Sequence, residues 1–296
     1  MRNYTILTDS AADLPFEVLQ ENQVGVIGLV VNFQNKEYIE DNWKSLSPGE
    51  YYAALIQGEM PTTSQITPAR FMEFFKPYLD KGDDILYIGF SSTLSGTFGS
   101  ANVARTMLLE EYPERRIELV DSLCASCGLG LLVLDAAAKK AAGMELDDLI
   151  RHVEDRKHHV NHIFTVDDLN HLKRGGRLSG FSATMGTMLN IKPILYMSGE
   201  GKLLNIDKVK GRKKSLHALV DYLEKGVTDP KNTEVIIAHG HCPEDVEILR
   251  SLITEKGLAT KVTPVTMGIT ISAHTGANVI NMVFFGKKRE ETIQKN

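Results

Sequence analysis

The sequence predicts a two-domain α/β fold: an N-terminal, largely parallel sheet flanked by helices, then a C-terminal α/β domain with a mixed sheet. Three observations carry this. Short β-branched runs, beginning with "NYTILTD" and "VGVIGLVV", recur with Ser/Asp/Gly turns and helix-periodic segments between them, the signature of a largely parallel sheet. The alternation loosens after about residue 160, where "KPILYMSGEGKLLNIDKVKG" reads as an antiparallel hairpin turning at Ser198 to Gly201. Finally, 296 residues with 43% hydrophobic content can bury a full core and have the length of two domains. The boundary is placed near residue 160, giving domains 1–160 and 161–296.

Taken in order, the first strand "NYTILTD" is followed by Asp13 and Pro15, which read as a helix start, because proline is tolerated where the first helical amides lack partners. "VGVIGLVV" is the second strand, and "VVNFQNKEYIE" alternates around Gln34, Asn35 and Lys36 as a hairpin excursion. "SPGEYYAALIQG" then has the spacing of a capping box in Ser47 and Glu50, with Pro48 at the first helical position and Gly58 closing the end. "TPARFMEFFKPYL" repeats the start signal at Thr67 and Pro68. Further strands are expected in "DILYIGF", "RIELVD", "HIFTVD", "KPILYM", "LLNIDKV", "EVIIAHG", "KVTPVTM" and "NMVFFG", with helices such as "LGLLVLDAAAKKAA" and "LDDLIRHVEDRK" between several of them.

Composition excludes some functions. A formal charge of -5 and a pI near 6.0 argue against nucleic acid, whose binding face needs a clustered basic excess. The N-terminus reaches acidic and turn residues too soon for a signal peptide, and no stretch approaches the roughly 20 apolar residues of a membrane span. Three cysteines fit a reducing compartment, so the expectation is a soluble, cytoplasmic protein with at most transient membrane contact, a monomer in preference to an oligomer.

The chemistry-bearing stretches are rich in hydroxyls. "SSTLSGTFGSA", residues 91–101, follows the apolar run "ILYIGF", yet no lysine lies between Lys81 and Lys139, so it lacks the charge a polyphosphate needs, and the glycine spacing of a dinucleotide loop is missing too. It suits one small anion such as a carboxylate at a helix start, and reads equally as a helix cap in a tight turn. "PTTSQITPAR", residues 61–70, is a second such loop; a cap at Thr67 leaves Thr62, Thr63 and Ser64 without a role. "HLKRGGRLSG" sets Lys173, Arg174 and Arg177 around a double glycine, either a phosphoryl-binding loop or a solvated basic turn. "ITISAHTGANV" offers His274, as a hydrogen-bond partner, a proton carrier or an ordinary core histidine. Metal is not expected: His239, His241 and Cys242 crowd together without a second ligand pair. Cys124 and Cys127 in "CASC" imitate the placement of a redox pair but lack its surroundings, and read better as small buried residues.

Together, "ILTDSAADLP", "TSQITPARF", "SSTLSGTFGSA", "DSLCASCGLGLLVLDAA", "LNHLKRGGRLSG", "NIKPIL" and "ITISAHTG" resemble, in order and over nearly the whole chain, the DegV family, which includes the fatty-acid-binding (FakB-type) subunits of bacterial fatty acid kinase. The resemblance implies a protein without catalytic chemistry or cofactor of its own that buries one long-chain fatty acid between its two parts. It places the carboxylate on Thr63, Ser64, Ser95 and His274, and sets Arg177, with Lys173 and Arg174, near the head group. There an ATP-dependent kinase subunit would make an acyl phosphate for phospholipid synthesis. Met185, Met188, Met197, Met267 and Met282 are candidates for pliant tunnel walls. Ala277 and Asn278 depart from the proline and glycine usual after "HTG", and "CASC" occupies a segment usually free of cysteine. The alternative is a stand-alone enzyme, either a Ser-His lipid hydrolase built on Ser95 and His274 or a phosphotransferase using the basic loop, although no GxSxG elbow is present.

Overall fold

The computed structural model describes residues 3–167, 169–178 and 190–293. In the first half the elements run β1 (Tyr4–Asp9), α1 (Phe16–Glu21), β2 (Val24–Ile27), β3 (Val30–Phe33), β4 (Lys36–Ile39), α2 (Pro48–Ile56), β5 (Thr62–Ser64), α3 (Pro68–Asp80), β6 (Asp84–Gly89), α4 (Thr97–Glu111), β7 (Ile117–Asp121), α5 (Cys127–Ala141) and α6 (Leu146–Arg156). They continue as β8 (Val160–Thr165), α7 (Asn170–Arg174), β9 (Ile191–Met197), β10 (Leu203–Lys210), α8 (Arg212–Gly226), β11 (Glu234–His239), α9 (Pro243–Glu255), β12 (Lys261–Thr266), α10 (Ile269–Thr275), β13 (Ile280–Phe285) and α11 (Arg289–Ile293).

Two main sheets result. The first is wholly parallel, in the order β2-β1-β6-β7; β1 and β6 are buried at every position, as central strands covered on both faces must be. The second is mixed, in the order β10-β9-β8-β13-β11-β12, with only β11 and β12 parallel. Its β9–β10 hairpin closes at Ser198 to Lys202, where Ser198 N donates to the Lys202 carbonyl at 2.9 Å and Gly201 takes φ 77°, a left-handed conformation that glycine adopts without steric cost. Alternation along the strands divides the core. Ile163, Tyr196, Ile237 and Met282 face α8 and α9, while Phe164, Leu195, Ile236 and Val283 face α5. α5 also packs on β1 and β6, so one apolar core runs from the parallel sheet through this helix to the mixed sheet.

A small antiparallel sheet, β4-β3-β5, completes the fold. Gln34 and Asn35 form its tight turn, with φ of 50° and 60°, as the two-residue hairpin signal implies. "VGVIGLVV", expected as one strand, is divided between sheets. Gly28 presses so closely on the Glu40 backbone that a Cβ there would overlap it, and Glu40 N donates to the Leu29 carbonyl at 2.8 Å, turning the chain away from β1. Thr67 does cap α3, accepting from Arg70 N at 3.4 Å, but Ser47 makes no such bond at α2. Asp13 does not start a helix either. It adopts φ 52°, and its carboxylate is buried three residues ahead of α1.

Two buried polar clusters hold these layers. Arg289, with no accessible surface, donates to the carbonyls of Val160 (2.7 Å), Leu123 (2.7 Å), Ser198 (2.8 Å) and Lys157 (2.8 Å) and to the Cys124 sulfur (2.8 Å). The second cluster is acidic. Asp9 accepts from the Tyr87 hydroxyl (2.6 Å) and the amides of Phe90 (2.9 Å) and Ala11 (3.1 Å); Asp13 accepts from the Ser126 hydroxyl (2.5 Å) and Gly268 N (3.0 Å); Glu40 accepts from the Ser10 hydroxyl (3.1 Å). Burial pushes the Asp9 carboxyl up to about 6 and that of Glu40 up to about 7, and burial together with the Glu40 charge pushes Asp13 well above the usual carboxylate range.

Replacing Arg289 by Met takes a charged donor away from four carbonyls, of which that of Ser198 is also met by an amide, that of Gly201, and should lower unfolding free energy by about 3–5 kcal/mol in denaturant titration. Arg289→Lys should recover only part of it, since three donors cannot serve five acceptors. The acidic cluster has a pH signature. A carboxyl whose folded value is raised contributes stability that is complete below its unfolded value and lost as pH rises through the folded one. Glu40→Gln should therefore gain on wild type as pH climbs from about 4.5 to about 7 in denaturant unfolding at stepped pH; a difference that stays flat would contradict the buried-acid reading.

Candidate functional site

A cavity of about 250 Å³ opens where the layers meet. Its walls come from the parallel-sheet side through Phe90 and Ala125, from the mixed sheet through Phe164, Met197 and Leu203, and from α10 and the turn before it through Ile271 and Met267. These walls are largely apolar. One set of polar groups gathers where three loops and helix ends converge: β5 brings Thr63 and Ser64, the turn before α4 brings Ser95 and Gly96, and the last turn of α10 brings His274.

Local structure explains each placement. β5 pairs antiparallel with β3, Thr63 opposite Val31, so the alternation of an edge strand turns Thr63 inward, half-buried, and leaves Ser64 exposed. Its Oγ1 lies 2.8 Å from His274 Nε2. The other hydroxyl loop is tied to the same segment: the Ser95 hydroxyl donates to Thr97 Oγ1 at 2.9 Å, and Thr97 Oγ1 also accepts from Ile66 N at 3.3 Å. Gln65 Nε2 adds a bond to the Ser100 hydroxyl at 3.1 Å. At Gly96 a Cβ would meet the end of the Gln65 side chain, which would have to move aside.

The basic loop following α7 meets this cluster at one point. Arg177 lines the cavity, donating from Nε to the Leu94 carbonyl at 3.1 Å and from Nη1 to that of Gly175, and its burial lowers its pKa. Lys173 is half-buried and Arg174 exposed; neither lines the cavity. Gly175 lies so close to His274 Nδ1 that any side chain would displace the imidazole. Burial, with the nearby Arg177 and His171, pushes His274 down to about 4, so it is neutral at physiological pH. A neutral imidazole paired with a hydroxyl, beside further hydroxyls and one guanidinium, offers hydrogen bonds and a single positive charge, which matches a monoanion such as a carboxylate.

Ser95 and His274 are not hydrogen-bonded to each other: the serine is engaged by Thr97 and the histidine by Thr63, so the nucleophile–base contact of a Ser-His hydrolase is not made. Cys124 and Cys127 are free, buried thiols, both raised by burial, the Cys127 thiol donating to the Asp13 carbonyl at 3.5 Å; neither has the lowered pKa of a reactive thiol. His241 stacks on Tyr52 at 5.8 Å, and His239 Nδ1 accepts from Cys242 N at 3.3 Å. Met197 and Met267 line the cavity, whereas Met282 belongs to the other face of its strand, against α8 and α9; Met185 and Met188 fall outside the described residues. Two polar lining residues have no counterpart in the motifs read from sequence, His162 on β8 and Asn281 on β13. Their signal was present as polar residues inside the apolar runs "VNHIFT" and "INMVFF".

A family model described as "Uncharacterised protein, DegV family" matches residues 3–287. A DegV domain-containing protein of Clostridium perfringens is 43% identical over 98% of this chain and 100% of its own length. Among solved structures, a fatty-acid-binding DegV family protein of Thermus thermophilus is 29% identical with a TM-score of 0.85, covering 97% of this chain and 100% of its own, and DegV of Bacillus subtilis, a fatty acid binding protein, is 29% identical with a TM-score of 0.82 over the same shares. The α/β fold with one parallel and one mixed sheet is that of these proteins, and the chain belongs to the DegV family. No helix among the described residues is long and apolar enough to cross a membrane.

The neutrality of His274 can be read directly. In an NMR pH titration its imidazole resonances should stay constant from pH 8 to about 5 and move only near 4; a midpoint near 6.5 would show that the ring is not desolvated.

Proposed function

We propose that this protein binds one long-chain fatty acid in the cavity and presents the carboxylate to an ATP-dependent fatty acid kinase partner. The observation that carries the reading is a cavity with largely apolar walls in which the hydroxyls of Thr63, Ser64 and Ser95, the neutral imidazole of His274 and the guanidinium of Arg177 come together. An acyl chain gains about 0.8 kcal/mol for each methylene taken from water, so the walls supply affinity while these polar groups fix orientation. Thr63, Ser64, Ser95 and His274 are the proposed carboxylate contacts. The fatty acids bound by the Thermus and Bacillus relatives support the ligand class.

In this reading the protein holds the substrate and the partner supplies the chemistry. A carboxylate oxygen attacks the γ-phosphorus of ATP, the bond to the ADP oxygen breaks, and the acyl phosphate remains on the carrier. Arg177 is the proposed cation beside the developing phosphoryl charge, with the half-buried Lys173 and the exposed Arg174 toward the partner. The boundary near residue 160 then separates the two parts that enclose the ligand. A cytoplasmic setting follows from a partner that consumes ATP.

Native mass spectrometry of the purified protein should show one fatty acid per chain. In binding titrations Thr63→Val and Ser95→Ala should each weaken palmitate binding about tenfold, the equivalent of one hydrogen bond to a charged group. Absence of bound lipid together with no uptake on addition would overturn the proposal.

A further inference from the structure

We propose that the cavity carries a second polar station, formed by His162 and Asn281, that receives a hydroxyl or oxo group borne partway along the acyl chain. The inference rests on the fatty-acid reading above and narrows its ligand class to oxygenated acyl chains.

The geometry starts from strand pairing. β8 and β13 run antiparallel, with Asn281 opposite Phe164 and Val283 opposite His162. Directly opposed residues share a face, and so do alternate residues of one strand, so His162, Phe164, Asn281 and Val283 all lie on the face toward α5, with His162 and Asn281 diagonal neighbours. Both line the cavity and both are more than nine-tenths buried, His162 at 2% and Asn281 at 6% exposure. Even so, His162 Nε2 and Asn281 Oδ1 have no hydrogen-bond partner among the described residues. Gly128, in the first turn of α5, meets the Cε1 edge of the His162 ring, between its two nitrogens, so closely that a Cβ would overlap it.

A polar atom buried without a partner is destabilising, and a plain hydrocarbon chain beside this pair leaves both atoms unpaired. Burial and the charge of Arg289 keep the His162 imidazole neutral, so the ring offers one donor and one acceptor, as does the amide beside it. That combination matches a hydroxyl, which donates and accepts, or an oxo group, which accepts. Depth sets where the oxygen belongs. The carboxylate contacts gather beyond the end of β8, since Gly175, just past α7, backs His274, whereas His162 stands three residues before the strand's last residue, about 10 Å back at roughly 3.3 Å per residue. The station therefore meets the interior of an acyl chain, away from its carboxyl end.

The test compares octadecanoic acid with its monohydroxy isomers, substituted from carbon 2 to carbon 12, on delipidated full-length protein by titration calorimetry. An interior isomer should bind about tenfold more tightly than octadecanoic acid, the equivalent of one hydrogen bond. That preference should disappear in Asn281→Leu and in His162→Phe, with affinity for octadecanoic acid kept or raised; Asn281→Leu decides the matter if the bulkier change at His162 disturbs folding. The inference is overturned if octadecanoic acid binds and every isomer binds equally or more weakly, as when an ordered water satisfies the pair. It is equally overturned if folded variants keep the preference. Binding of no acid at all, substituted or plain, would instead remove the fatty-acid reading itself, and the inference with it.

Discussion

Everything between the two main sheets is pinned by one buried guanidinium. Arg289 stands in the last described helix, yet its five N–H groups reach the ends of β7 and β8, the end of β9 and the start of the α5 loop, through the backbone at Leu123, Lys157, Val160 and Ser198 and the sulfur of Cys124. Among the described residues no carboxylate shares the contact. A cation placed this way is stabilised by carbonyl dipoles that must all be presented at once, so its burial is favourable only when the parallel sheet, the mixed sheet and the C-terminal segment are assembled together. The apolar core that passes through α5 supplies much of the cohesion, and the guanidinium fixes the relative setting of the layers.

The acidic cluster does a comparable job nearer the cavity. Asp13 reaches Ser126 before α5 and Gly268 before α10, while Glu40 ties the chain between β4 and α2 to Ser10. Gly268 is flanked by both acids, leaving no room for a side chain. The α10 helix, whose last turn carries His274, is therefore anchored at its beginning by carboxyls and met at its end by Thr63 and Gly175. Three carboxyls so deeply buried stay largely protonated at mildly acidic pH, which is why they can be gathered in one place without mutual repulsion.

Much of this was legible in the residues. Alternation of strand and helix patterns, the Gln34–Asn35 turn, the Ser198–Gly201 turn and the cap at Thr67 are local features set by local chemistry, and the structure contains each of them. The hydroxyl loops stood out because their composition exceeded what capping requires. What was hidden depends on residues distant in the chain. Nothing in "VGVIGLVV" marks a change of sheet, which follows from the Glu40 backbone lying against Gly28. Asp13 resembles a helix start but is drawn inward by Ser126, 113 positions away. Arg289 stands in the charged run "GKKREE", and only the assembled fold reveals the acceptors waiting for it. His162 and Asn281 were visible as polar residues in apolar strands, but only strand pairing puts them side by side.

The cavity walls are drawn from both main sheets and from α10, with consequences for how this protein behaves when it is handled. Any molecule filling such a space touches parts that separate on unfolding, so its binding free energy adds to that of folding by mass action, rising with the logarithm of free ligand over its dissociation constant. Two preparations of the same chain that carry different amounts of cargo will melt at different temperatures. A melting curve is then a gauge of occupancy as much as of sequence, and variants in the cavity are comparable only after the contents have been stripped or saturated.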